Sequence, residues 1–268
     1  MPRVDLGPIG AVISPDPTPP ASAAAAAEVE AAGFPTIWLA GGGLESLEQV
    51  TAAVAGTREA RISTAIISVD RFGAPDVAAT YAALQGEHPG RFVAGLGGAH
   101  GAKPLATLRS YLDTLDTVPR ESIVLSALGP RMLELARDRA AGAIPVLITP
   151  EYAARARETL GDDATLAVQL LVALEPDAER ARAIARQPIS FLRTVPGYAA
   201  NFRRMGFTDD DIEQLTDRLV DALVACGDAD TIAARVAEYR AAGADHVAVM
   251  PVAGDGTHWQ ALASALLP

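Results

Sequence analysis

Two short segments hold the residues of this sequence best suited to chemistry: Gly90 to His100, reading GRFVAGLGGAH, and Ser126 to Ala136, reading SALGPRMLELA. His100 closes the first. An unperturbed imidazole titrates near neutrality, so His100 is a candidate general acid or base; a loop histidine held by a backbone carbonyl is the alternative. In the second segment Gly129 and Pro130 stand where a helix begins. The unpaired N–H groups of that first turn, and the positive end of the helix dipole, face whatever lies above the preceding strand, an arrangement that suits a phosphate. Each segment is an apolar, strand-like run that ends in glycine, so the pair reads as two βα units whose loops face one ligand.

Other titratable residues are less telling. His258, in DGTHWQ, reads either as a second residue of the same mouth or as a cap of the terminal helix, while His88 before Pro89 looks structural. His246 opens the last strand, at the end away from the chemistry. Glu151, in the first turn of a helix, suits a substrate hydroxyl and the helix dipole equally. Asp70 and Arg71 read as a surface pair. Cys226, the only cysteine, excludes an internal disulfide and reads as a packed residue near a helix end. No histidine and cysteine spacing resembles a metal site, and no nucleophile elbow is present. The run GLGG at Gly95 to Gly98 lacks the third glycine and the distant acid of a dinucleotide fingerprint.

The elements that must position these residues alternate. Strand-like runs are expected at Gly7 to Ile13, Thr36 to Leu39, Ile62 to Ser68, Arg91 to Leu96, Ser122 to Ser126, Ala143 to Ile148, Thr165 to Ala173 and His246 to Met250. Alanine-rich helical stretches lie between them, most opened by proline, and an all-helical excursion is expected from Asp177 to Ala242. Glycines at Gly33, Gly142 and Gly243 mark helix ends. Eight βα units predict an α/β fold, a closed parallel (β/α)8 TIM barrel with a helical excursion before the last strand, in one domain over residues 1–268; a doubly wound sheet is the second choice. In a barrel, function gathers at the C-terminal strand ends, whereas Arg91, at the opposite end, is expected to tether the bottom.

Composition narrows the partners. The chain has 268 residues, 50% of them hydrophobic, and a net charge of −11. That charge opposes nucleic acid or an anionic membrane as the main partner and leaves a small-molecule substrate. The N-terminus MPRVDLGPIG lacks the features of a signal peptide, and no apolar run is long enough to span a bilayer, so a cytoplasmic protein is expected.

Several stretches resemble the luciferase-like flavin and deazaflavin oxidoreductases, particularly their actinobacterial branch that uses coenzyme F420. They are GFPTIWLAGGG around Trp38, PGRFVAGLGGAH, KPLATLRSYLDTLD, the run from Ala127 to Leu160, NFRRMGFTDDDI, TDRLVDAL and GADHVAVM. The resemblance implies a barrel mouth that holds F420, or FMN as the alternative, for hydride transfer to or from a small organic substrate. It implies Leu128, Gly129, Arg131 and Met132 at the phosphate or ribityl end, with Thr149 nearby. It implies Ser68 against the ring, beside a strained bulge or non-prolyl cis bond, and close backbone approach at Gly97 and Gly98. Pairing into a homodimer is a family expectation; Leu44, Leu47 and Val50 form an apolar face suited either to that or to ordinary packing.

The departures from the family pattern concentrate at the mouth. Ala40 and Gly41 replace an acidic residue, Asp70 stands where an aromatic ring is common, the first strand lacks its usual large ring, and Ala167, Val168 and Gln169 replace Pro-Glu-Gln. These losses leave a second hypothesis open: a divergent luciferase-like barrel with an eroded pocket, binding a ligand or partner without catalysis.

Overall fold

The computed structural model describes residues 3–252 and 259–268; His258 lies outside the described residues. Among the described residues ten strands are formed: β1 (Ile9–Ile13), β2 (Thr36–Ala40), β3 (Arg61–Ala65), β4 (Ile67–Ser68), β5 (Phe92–Gly97), β6 (Ile123–Leu125), β7 (Gly142–Ala143), β8 (Thr165–Leu174), β9 (Val224–Gly227) and β10 (His246–Pro251). Every pairing is parallel. The order β10-β1-β2-β3-β5-β6-β7-β8 closes on itself through β8 and β10, giving an eight-stranded barrel. β4 continues β3 along β5, and β9 lies against the C-terminal half of β8.

Outside run α1 (Pro19–Ala31), α2 (Glu48–Gly56), α3 (Ala74–Glu87), α4 (Pro104–Thr114), α5 (Pro130–Arg139) and α6 (Pro150–Leu160). The later helices are α7 (Ala178–Leu192), α8 (Pro196–Arg204), α9 (Asp209–Gln214), α10 (Asp217–Leu223), α11 (Ala229–Ala241) and α12 (Trp259–Leu266). Proline opens α1, α3, α4, α5, α6 and α8, where its missing N–H costs nothing.

Strands buried on both faces read as nearly continuous apolar runs, and their alternation sorts residues between two cores. Val12, Trp38, Ala40, Val93, Val124, Ala167 and Ala248 fill the barrel interior. Their neighbours, such as Ile37, Leu39, Ala94 and Val247, pack outward under the helices. Leu44 and Val50 are fully buried there and Leu47 packs on the same core, so that face serves ordinary packing and is not free for a partner.

The N-terminal end is plugged. Trp38 Nε1 donates to His246 Nε2 at 3.0 Å, and His246 Nδ1 bonds the Gly7 carbonyl at 2.8 Å. Accepting from tryptophan at one nitrogen requires the proton on the other, so the ring is neutral with Nδ1 as donor. Burial pushes its pKa down to about 4. A Cβ on Gly10 would stand 2.7 Å from the His246 ring, so only glycine fits beside the plug. Arg91 tethers the same end, its guanidinium bonding the Ala60 carbonyl and Thr57 Oγ1, each at 2.7 Å.

Three elements differ from expectation. The third strand is split into β3 and β4, and the non-prolyl cis bond expected near Ser68 lies at the break, between Ala65 and Ile66. The strand expected over Ala143 to Ile148 shrinks to β7; past it Val146 bridges on to Gln169, and Leu147, at φ 52, ends the extended run. The helical excursion contains a strand, β9, and Cys226 lies on it just past the end of α10, packed against a buried cluster as expected.

Candidate functional site

At the C-terminal end of the barrel, the strand ends close in where glycine removes side chains. A Cβ on Gly97 would lie 2.8 Å from Ser126 Cβ and 3.2 Å from Ile66 Cγ1. Gly98 has φ +83, and its Cβ would meet Ser68 Oγ at 2.8 Å. The resulting mouth is ringed by Ala40, Ala65, Ile66, Gly97, Ser126, Gln169 and Met250, mostly small residues on the inward register of their strands. Solvent reaches Ala65, Ile66, Ser126, Gln169 and Met250. Gln169 Nε2 bonds Met250 Sδ at 3.0 Å, and no described residue engages its Oε1. None of these ring residues titrates.

Among the described residues, the imidazole at the rim is that of His100. Its backbone N–H donates to Asp70 Oδ2 at 2.9 Å and its Nδ1 lies 3.0 Å from the same oxygen. Asp70 is therefore the partner of His100, not of Arg71, whose guanidinium stacks over Phe72 at 5.6 Å. The His100 side chain is 63% exposed. A carboxylate at Nδ1 selects the Nδ1–H tautomer and leaves Nε2 for exchange of a proton with whatever enters the rim.

Beyond the rim, α5 starts within a few residues of the end of β6. The Leu128 carbonyl accepts from the Tyr152 hydroxyl, fixing the loop against α6. Gly129 is the N-cap; Met132 N–H bonds its carbonyl at 2.9 Å, and no described residue takes the N–H of Gly129 or Arg131. Gly129, Arg131 and Met132 line one cleft of about 820 Å³ together with Lys103, just before α4, Arg109 of α4 and Arg204 of α8. Sequence reasoning missed Arg109 and Arg204 as members, although both lie in stretches that carried the family resemblance. Thr149 is buried and engaged at its own helix start. It accepts from Tyr152 N–H at 3.3 Å, and its hydroxyl bonds Glu151, holding that carboxyl below its usual range. The first-turn role thus accounts for Glu151.

A second cleft, about 330 Å³, opens between β8, β9, α7 and α11 and contains Cys226. Burial and the nearby Asp221 carboxylate push that thiol's pKa up, which disfavours the reactive thiolate. Among the described residues no helix is long and apolar enough to cross a membrane.

A family model described as luciferase-like monooxygenase matches residues 106–246, more than half of the chain. Among solved structures the chain is similar to an F420-dependent secondary alcohol dehydrogenase in complex with an F420–acetone adduct, with TM-score 0.75 and 16% identity over 98% of each chain. It is similar to the coenzyme F420 dependent tetrahydromethanopterin reductase from Methanopyrus kandleri, with TM-score 0.73 and 15% identity over 98% of this chain and 99% of that one. The oxygenating constituent of 3,6-diketocamphane monooxygenase from Pseudomonas putida, in complex with FMN, gives TM-score 0.68 and 14% identity over 96% of each chain. No match is found among curated proteins. At these identities the structures speak for the fold and the family model for descent: the chain belongs to the luciferase-like monooxygenase family.

Proposed function

We propose that this protein transfers a hydride between coenzyme F420, with FMN as the alternative cofactor, and a small organic substrate. The observation that carries the reading is the juxtaposition of a mouth lined by small residues with a basic cleft at the start of α5. The donor set fits the cofactor: glycine backbone at Gly97 and Gly98 for close approach, and free N–H groups with unpaired cations where a phosphate would sit.

Each residue then has a role. Leu128, Gly129, Arg131 and Met132 hold the phosphate or ribityl end, with Thr149 supporting α6 beside them. Ser68, Ser126 and Gln169 Oε1 supply polar contacts around the ring and substrate. When bound, the deazaflavin supplies the carbon that gives or accepts hydride; the protein supplies orientation. His100 holds or takes the accompanying proton at Nε2, and Asp70 is the positioning residue for it.

The non-titrating ring favours a second reading, a ligand-binding barrel without turnover. The test is F420 binding followed by turnover of alcohols and ketones with the native protein and His100→Ala. Binding and turnover, with turnover lost in the variant, support the first reading; binding without turnover supports the second.

A further inference from the structure

Two walls of the barrel mouth offer different chemistry. In the closed order β10-β1-β2-β3-β5-β6-β7-β8, β3 with its continuation β4 stands four strands from β8 in either direction, so Ser68 and Gln169 lie on opposite walls. The β4–β5 wall carries Ser68, the close-packed glycines Gly97 and Gly98, and the His100–Asp70 pair at its rim. The β8–β10 wall carries Gln169 and Met250. Each follows by two residues an alanine of the barrel interior, Ala167 and Ala248, and so shares its inward register. Both are partly exposed.

Gln169 Nε2 lies 3.0 Å from Met250 Sδ. A thioether sulfur accepts and has no proton to donate, so this contact fixes which end of the amide faces Met250. Nε2 thus has a partner, whereas Oε1, with two lone pairs, is engaged by no described residue. The unmet demand of this wall is for a hydrogen-bond donor. The ring of residues named above carries no charged side chain, so a charged group entering it would lose water and find no counter-charge among them.

We infer, resting on the hydride-transfer reading above, that Gln169 selects the substrate: the mouth takes a small uncharged molecule that carries a hydroxyl or N–H group besides the group that exchanges hydride. The reacting hydroxyl or carbonyl belongs on the side of His100, where its proton is exchanged, and the second donor reaches Gln169 Oε1 on the opposite wall. Met250 is the positioning residue, its sulfur holding the amide in the orientation that accepts. A diol or a hydroxy amide meets these demands. A hydroxy acid does not, nor does an alcohol whose far end is an ether.

The probes are cyclohexanediol with its hydroxyls on opposite ring carbons, the monomethyl ether of that diol, and the corresponding hydroxycyclohexanecarboxylate. Each keeps one hydroxyl; the far end donates, only accepts, or carries charge. Their affinities for the full chain are measured by ligand-observed NMR, with and without oxidised F420. The diol should bind about threefold to tenfold tighter than the ether, the range of one neutral hydrogen bond, and tighter than the acid. Gln169→Leu should erase the preference for diol over ether. Met250→Leu, close in volume, should bring that ratio within about twofold although Gln169 is retained, because the amide is then free to turn Nε2 to the ether oxygen. A merely structural role for either residue would weaken all three probes together and leave the ratio unchanged. Binding of none of the probes, equal binding of diol and ether, tightest binding of the acid, or a preference that survives either substitution overturns the inference. F420 is titrated in parallel: a diol preference that needs Gln169, without F420 binding, upholds the selecting wall and removes the cofactor reading, and F420 binding without the preference does the reverse.

Discussion

Replacing Gly129 by aspartate should push stability and ligand binding in opposite directions. Gly129 has φ −99 and ψ 156, extended backbone that any residue adopts, and its built Cβ meets nothing closer than the Arg204 guanidinium at 3.8 Å. Aspartate is also a better N-cap than glycine, by a few tenths of a kcal/mol, and its charge suits the helix dipole. Gly129→Asp should therefore melt at the native temperature or slightly above it. The same carboxylate competes for Arg204 and stands where the phosphate is expected. Two like charges about 4 Å apart repel by about 1 kcal/mol in water and about 4 kcal/mol at an effective dielectric of about 20, so F420 affinity should fall between roughly fivefold and several hundredfold. Fluorescence titration of oxidised F420 beside a thermal melt of the apo-protein reads both effects. Unchanged affinity in a variant that melts normally would refute the phosphate site.

Other expectations follow from the same geometry. His246 is held neutral with its pKa near 4 while an unfolded histidine titrates near 6.5, so between those values the unfolded chain binds the extra proton and stability falls as pH drops from about 6.5 to about 4. Urea melts at pH 7 and pH 4.5 should show this loss, up to roughly 3 kcal/mol, and His246→Gln, which keeps a donor and an acceptor, should lack it. Gly97→Ala puts a methyl 2.8 Å from Ser126 Cβ and should cost about 1–3 kcal/mol in denaturant melts while weakening F420 binding. Asp70→Ala and His100→Ala should each lower kcat about tenfold or more with little change in melting, since the pair is exposed; their double variant should be no worse than the worse single one. Additive losses in that cycle would separate the two residues.

The barrel was legible because its signals are local: apolar alternation in the strands, proline at helix starts and glycine just past helix ends. β9 was not, because VACG sits within ALVACGD, whose alanine and leucine favour helix; what makes it a strand is the overhang of β8 offering Leu171 to Leu174 as a partner. The rim was half legible. His100 is legible in its segment, whereas the sequence pairs Asp70 with its neighbour Arg71. The parallel register of Ser68 with Gly97 is what carries Asp70 to the level of His100, and that pairing is tertiary. Likewise Gly129 and Arg131 announce a helix start, whereas Arg204 reaches it from the excursion between β8 and β10, which no spacing along the chain predicts.

The central claim is that the mouth and the basic cleft together hold a deazaflavin. Titration of the purified protein with oxidised F420, and separately with FMN, following tryptophan fluorescence and thermal shift, tests it most directly. The account predicts saturable, one-to-one binding of F420 that orthophosphate weakens and that raises the melting temperature. A folded protein that binds neither F420 nor FMN would contradict it.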